Sequence, residues 1–226
     1  MPDTPDIKLR QPPPPPKTVT PCEIPYAELD VTSNFSFLRG ASHPDELVYT
    51  AASLGYRAIA LTDVCTLAGM VRAHSAAKQC GMKLLVGCRL KFVDGTPDVL
   101  VWCTNRMGYG NLCRLLTIGK RRTEKGKCQL HLEDLIERNQ GLIAGIDLQA
   151  TGHLSGLDEP AQVLQEKIRQ LALSFPPSPG GSSASSLYLT VYRHYGHDDD
   201  SHLDRMIILS RRLGIPLLAT NHVHYH

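Results

Sequence analysis

With 226 residues, 42% of them hydrophobic, the chain carries enough apolar side chain for one sizeable core with appendages, while two full domains would be crowded. A formal net charge of +2 demands no acidic partner, and no apolar run reaches the roughly 20 residues that a bilayer-spanning helix needs, so neither a membrane protein nor an obligatory nucleic-acid binder is called for. The seven cysteines are odd in number and form no Cys-x-x-Cys pair, which argues against a disulfide framework and a structural zinc site. Met1 to Lys17 have neither a basic start nor an apolar stretch, so no secretory signal is read there and a cytoplasmic protein is expected.

In chain order, residues 1–21 contain the run Pro12–Pro16, which lacks backbone donors and has fixed φ; it is expected to be a disordered, extended tether. It could recruit a proline-binding partner, but a spacer needs fewer assumptions. The domain proper is expected over 22–226. A first strand-length apolar run, Ala27–Val31, precedes a helical stretch around 44–54 that stops at Gly55 before the run Ala58–Leu61. A helix around 67–80 then stops at Gly81 before Leu84–Val86. Strands are predicted at Val99–Cys103 and Leu142–Ile146, with helices around 108–118 and 160–173. A second break over 174–186 sets Pro176, Pro177, Pro179, Gly180 and Gly181 among serines and reads as a surface insertion within the domain. Leu187–Val191, a helix around 200–213 stopped by Gly214, and Leu217–Ala219 complete the pattern. Helices that end in glycine and lead into strands apolar on both faces imply an α/β architecture with parallel strands. About seven strands suggest a barrel, and an open doubly wound sheet fits the alternation as well.

In either architecture, chemistry belongs at the carboxyl ends of the strands. There stand Asp30, Thr32 and Ser33; then Thr62-Asp63; then Cys88-Arg89; and last Asn221-His222-Val223-His224-Tyr225-His226. Carboxylates and imidazoles converging on one rim are what a divalent metal requires, so Asp30, Asp63, His222 and His224 are the candidate ligands. Each has a plainer reading: Asp63 would cap the next helix and Asp30 would be a solvated strand-end carboxylate. His222, His224 and His226 alternate and would project to one side of an extended segment. No phosphate-cradling glycine loop and no nucleophile turn of the type Gly-x-Ser-x-Gly is present. Lys120 to Lys127 form a basic cluster able to touch a nucleic-acid backbone, but no aromatic residue interleaves with it to make a stacking platform.

Four separated motifs carry a family resemblance. Tyr26 to Val48, and most tellingly Asn34-Phe35-Ser36-Phe37-Leu38-Arg39-Gly40-Ala41-Ser42-His43-Pro44, resembles the opening of the amino-terminal PHP domain of bacterial error-prone DNA polymerase III alpha subunits. Ala58 to Gly69 with Val71 to His74, Asn105 to Leu116 with Arg121 to Gly126, and Arg211 to His226 are similar to the later motifs of that family in the same order. The resemblance implies a distorted barrel of about seven strands and helices with metal ligands at the strand carboxyl ends. It also implies where this chain departs. Asp30-Val31-Thr32 replaces His-x-His, Arg39 replaces an aspartate, Val64 a histidine and Arg89 a glutamate, and His222-x-His224 stands for Asp-x-His. Only His224 keeps its ligand type, and two arginines at ligand positions would repel a cation.

By resemblance, then, a trinuclear hydrolytic centre is lost, and polymerase chemistry resides in regions beyond this stretch. A non-catalytic scaffold is expected, with no cofactor or at most a divalent zinc or manganese at a degenerate site. Its implied partners are the remaining polymerase regions and replication or repair factors such as a clamp, with DNA contacted indirectly and no membrane. A stand-alone metal-dependent phosphoesterase or 3'-5' exonuclease using Asp30, Asp63, His222 and His224 is the alternative, and an interaction module tethered through the proline run is a third reading.

Overall fold

Apolar residues on both faces of short segments favour strands covered by helices, and seven such strands line up in chain order in one sheet. They are β1 (Ala27–Val31), β2 (Ala58–Leu61), β3 (Lys83–Leu90), β4 (Asp98–Cys103), β5 (Leu142–Asp147), β6 (Leu187–Val191) and β7 (Leu217–Ala219). The computed structural model describes residues 13–16, 24–149, 162–176 and 185–225. Its helices are α1 (Pro44–Ser53), α2 (Met70–Cys80), α3 (Arg106–Arg121), α4 (Leu132–Ile136), α5 (Gln162–Ser174) and α6 (Asp199–Leu213). Most of the expected tether at 1–21, the centre of the expected insertion at 174–186, and His226 lie outside the described residues.

β1, β2 and β3 pair in parallel, as do β5, β6 and β7. The expectation of parallel strands throughout fails at β4, which runs antiparallel to both neighbours. The reason is the length of the β3–β4 link, residues 91–97, which is far short of the dozen or so residues a crossover needs. Asp94-Gly95 turns the chain there, with Gly95 at φ 81°. The choice between barrel and open sheet is decided after β7. Thr32 N–H donates to the Val223 carbonyl and Val223 N–H donates to the Asp30 carbonyl, each at 2.8 Å, so the segment beyond β7 docks on the end of β1. The sheet curls into a distorted barrel closed at one rim.

The helices clothe its outside. Leu47, Val48 and Ala51 of α1 and Ala73, Ala76 and Ala77 of α2 are buried against Val31, Ile59 and Leu61. A larger core gathers Leu112, Leu115 and Leu116 of α3, Ile168 and Leu171 of α5 and Met206 of α6 around β4, β5 and β6. Inside the barrel Trp102 packs with Ala60 and Leu100 against Leu29, Leu85, Ile143 and Leu218, and its indole N–H donates to the Leu29 carbonyl at 2.9 Å. A Cβ on Gly145 would lie 2.8 Å from that indole and one on Gly87 3.0 Å from it, so two bare positions admit the ring. The apolar plug fills one end of the interior, and strand alternation leaves the other end polar.

Candidate functional site

The polar end is organised around a buried cation that belongs to the protein. Arg89, at the end of β3, is 2% exposed. Its Nη2 donates to Asp30 Oδ2 at 2.6 Å and its Nη1 to Asp147 Oδ2 at 2.6 Å, while Asp98 Oδ2 lies 3.6 Å away. Asp30 comes from β1, Asp147 from β5 and Asp98 from β4, so one guanidinium ties together four strands. Asp30 also accepts from Thr62 Oγ1 at 2.8 Å, and His222 Nδ1 stands 2.7 Å from its Oδ2. Burial alone would raise the Asp30 pKa; the His222 contact and the Arg89 charge outweigh it and hold the carboxyl below its usual range. Burial likewise opposes the charge on Arg89, but Asp30, Asp147 and Asp98 reverse that and raise its pKa, so it stays cationic.

His222 is set in place from three sides. Its backbone takes φ 50°, a left-handed value uncommon for a residue with a side chain, and its ring stacks on Tyr192 with centroids 4.6 Å apart and planes 12° apart. The His224 ring lies 4.5 Å from that of His222, and its Nδ1 is 3.1 Å from the Arg39 carbonyl. Burial, with the neighbouring His222, lowers the His224 pKa. Arg39, Arg89, His194, His202, His222 and His224 all border a cleft of about 360 Å³ at this rim.

Of the candidate ligands, Asp30 and His222 meet, His224 lies beside them at the cleft, and Asp63 is elsewhere. Asp63 accepts from Ser33 N–H at 2.8 Å, Ser33 Oγ at 2.7 Å and Ser36 Oγ at 2.7 Å, so its carboxylate ties down the loop after β1. It does not cap the next helix by a hydrogen bond either; the residue before α2 is Gly69, and no side chain caps that end. Among the described residues, Asp30, Asp147 and His222 do present ligand atoms within 4.8 Å of one another. The Arg89 guanidinium already uses the carboxylate oxygens that would face an ion, and it would set a full positive charge against one. With Arg89 in place the donor set does not fit a divalent metal. A second group with ligand spacing, Asp94, His131 and Glu133, has a structural occupation, since Asp94 accepts from Leu132 N–H at the start of α4 and from Lys167, each at 2.9 Å.

Two members of the cluster escaped the sequence reading. Asp147 follows the apolar run of β5 at its carboxyl end, where the rule of searching strand ends would have found it. Asp98 begins β4, and it reaches the rim only because that strand runs backwards.

Residues 28–177 match the family model described as PHP domain. The chain is 42% identical over 201 residues to an error-prone DNA polymerase of Caulobacter vibrioides, covering 89% of this chain and 17% of that protein. It is 44% identical over 203 residues to an error-prone DNA polymerase of Dechloromonas aromatica, covering 89% and 18%. The chain thus spans less than a fifth of the length of these relatives. Among solved structures, a two-domain protein of Bacteroides vulgatus containing a predicted PHP-like metal-dependent phosphoesterase aligns with a TM-score of 0.62 at 11% identity, over 93% of this chain and 57% of that one. An amidohydrolase of Chromobacterium violaceum aligns with a TM-score of 0.54 at 17% identity, over 88% of both chains. Those two likenesses concern the fold, while the family model and the relatives concern the sequence itself: this chain belongs to the PHP domain family.

Proposed function

We propose that this chain is the PHP domain of an error-prone DNA polymerase of the polymerase III alpha type and acts as a non-catalytic scaffold in damage-tolerant DNA synthesis in the cytoplasm. The identity of 42% with a polymerase more than five times as long supports the first half. The second half is carried by one observation: Arg89 bridges Asp30 and Asp147 at 2.6 Å and supplies, from within the protein, the positive charge that an ion would otherwise bring. A fixed guanidinium neutralises carboxylates and holds strands together, but it offers no open coordination position for a water or a phosphoryl oxygen, which metal-assisted hydrolysis requires. The partners of such a scaffold are the other regions of the polymerase and, through them, replication and repair factors.

Metal content tests this reading. Protein purified without chelator and analysed by plasma mass spectrometry is expected to hold well under one equivalent of zinc or manganese. Near-stoichiometric metal lost in the His224→Ala variant would overturn the scaffold and establish the second reading, a metal-dependent phosphoesterase or 3'-5' exonuclease. That reading draws on the ligand spacing of Asp30, Asp147 and His222.

A further inference from the structure

On the same rim as the Arg89 cluster, but outside it, the loop between β1 and α1 presents an apolar tip. Phe37 is 85% exposed and Leu38 89% exposed, and Phe35 beside them is 38% exposed. Exposure of this kind in a loose loop would mean little, but this loop is fastened along its length. Asn34 N–H donates to the Ser42 carbonyl at 2.9 Å, Arg39 N–H to the Ser36 carbonyl at 2.9 Å, and Ala41 N–H to the His224 carbonyl at 2.9 Å. Ser36 Oγ donates to the buried Asp63 and accepts from Val64 N–H at 2.9 Å. Leu38 is held at φ 60°, and Gly40 packs so tightly on the loop that a Cβ would lie 2.2 Å from the Ser33 carbonyl. The fold therefore expends backbone strain and a buried carboxylate on holding an aromatic and an aliphatic side chain out in water.

Beside this tip lies a groove of about 820 Å³ whose other wall is the last turn of α3 and the basic loop after it. Arg39, Lys91, Lys120, Lys125 and Lys127 line it against one carboxylate, Glu124, which pairs with Lys127 at 3.3 Å. We infer that this groove binds single-stranded nucleic acid, with the phosphates along the lysines and an unstacked base on Phe37. The charge selects a polyanion, and the exposed ring selects one with free base faces, which a duplex does not offer. The site is independent of whether Arg89 excludes a metal.

The test uses the 226-residue chain and a fluorescein-labelled oligothymidylate of about twenty nucleotides, followed by anisotropy between about 50 and about 200 mM salt. Binding is expected at the lower salt. Phe37→Ala should weaken it about tenfold with an unchanged salt slope, and Phe37→Trp should restore it. The double variant Lys120→Gln and Lys125→Gln should lower the logarithmic salt slope by about 1.4. All three side chains are at the surface, so urea midpoints equal to that of the parent confirm intact folding. Absence of binding at low salt, indifference to Phe37→Ala, or equal affinity for a duplex of the same length would overturn the inference. Competition by polyglutamate as strong as that by the oligothymidylate would also overturn it, in favour of an acidic protein partner.

Discussion

Arg89 holds a full charge inside the barrel with two carboxylates at 2.6 Å, and its worth is asymmetric. Making the buried network gains little over a well-packed apolar core, but removing one partner strands the rest. Arg89→Met is therefore expected to destabilise the protein by about 3–5 kcal/mol, read as a fall in the urea midpoint, because Asp30 and Asp147 remain buried without their cation. Asp30 also sets an acid limit. Its folded-state pKa lies below the ordinary 3.8, so the unfolded chain binds the proton more readily than the folded one. The stabilisation is complete above about pH 5 and is lost as pH falls through 3.8 towards the lowered value. Urea midpoints measured from about pH 6 down to pH 3 should fall steeply in the parent, and Asp30→Asn should flatten that fall from a lower starting stability. At this scale the sequence reading found Asp30, His222 and Arg89 because they follow apolar runs. Asp63 stands apart from them in the fold, since a carboxylate after a strand looks the same whether it turns inward or ties down a neighbouring rim loop.

Among the elements, the strands were the most legible. All seven predicted runs became strands, as their apolar two-faced composition requires, and Gly55, Gly81 and Gly214 take the left-handed φ values of 72°, 68° and 67° expected after helices. The short α4 went unread because five residues carry too little periodicity to register. The direction of β4 was missed although Asp94-Gly95 announces a hairpin, and its consequence is large: β4 brings Asp98 to the rim and Trp102 to the plug. Trp102 needs the bare backbone of Gly145, whose added Cβ would meet the indole at 2.8 Å and Thr190 Cγ2 at 2.8 Å. Gly145→Val should cost about 1–3 kcal/mol by overpacking. Trp102 is the only tryptophan in the chain, so a changed emission maximum in the folded variant would report the disturbed interior directly.

For the whole molecule the decisive contact is the closure of the rim. The segment after β7 joins the two ends of the chain's sheet through the pair of hydrogen bonds between Val223 and the end of β1, and it carries His222 to Asp30. Closure and site are one construction, so loosening the first should undo the second. Val223→Pro removes the N–H that donates to the Asp30 carbonyl. The expected result is faster hydrogen exchange at the Thr32 amide and, from one buried acceptor left unsatisfied, a loss of about 1–3 kcal/mol. Unchanged exchange at Thr32 would mean that the rim is held by other contacts.

The order of strands and helices, the covered sheet and the polar residues at strand ends are local properties, written in composition and in periods of a few residues, and the chain alone determined them. Which polar residues meet is a property of register and closure. Asp30 and His222 are 192 positions apart, and Arg89 and Asp147 58 apart, and only the curled sheet sets them within hydrogen-bonding distance. The same holds for the groove: the basic stretch at 120–127 has no aromatic neighbour in sequence, and it acquires Phe35 and Phe37 because the barrel brings the β1–α1 loop beside it. Periodicity reports which face of an element is apolar, whereas the partners on the other face are chosen by packing, so the elements and Arg89 at a strand end could be read from the sequence, and the carboxylates that Arg89 joins only from the structure.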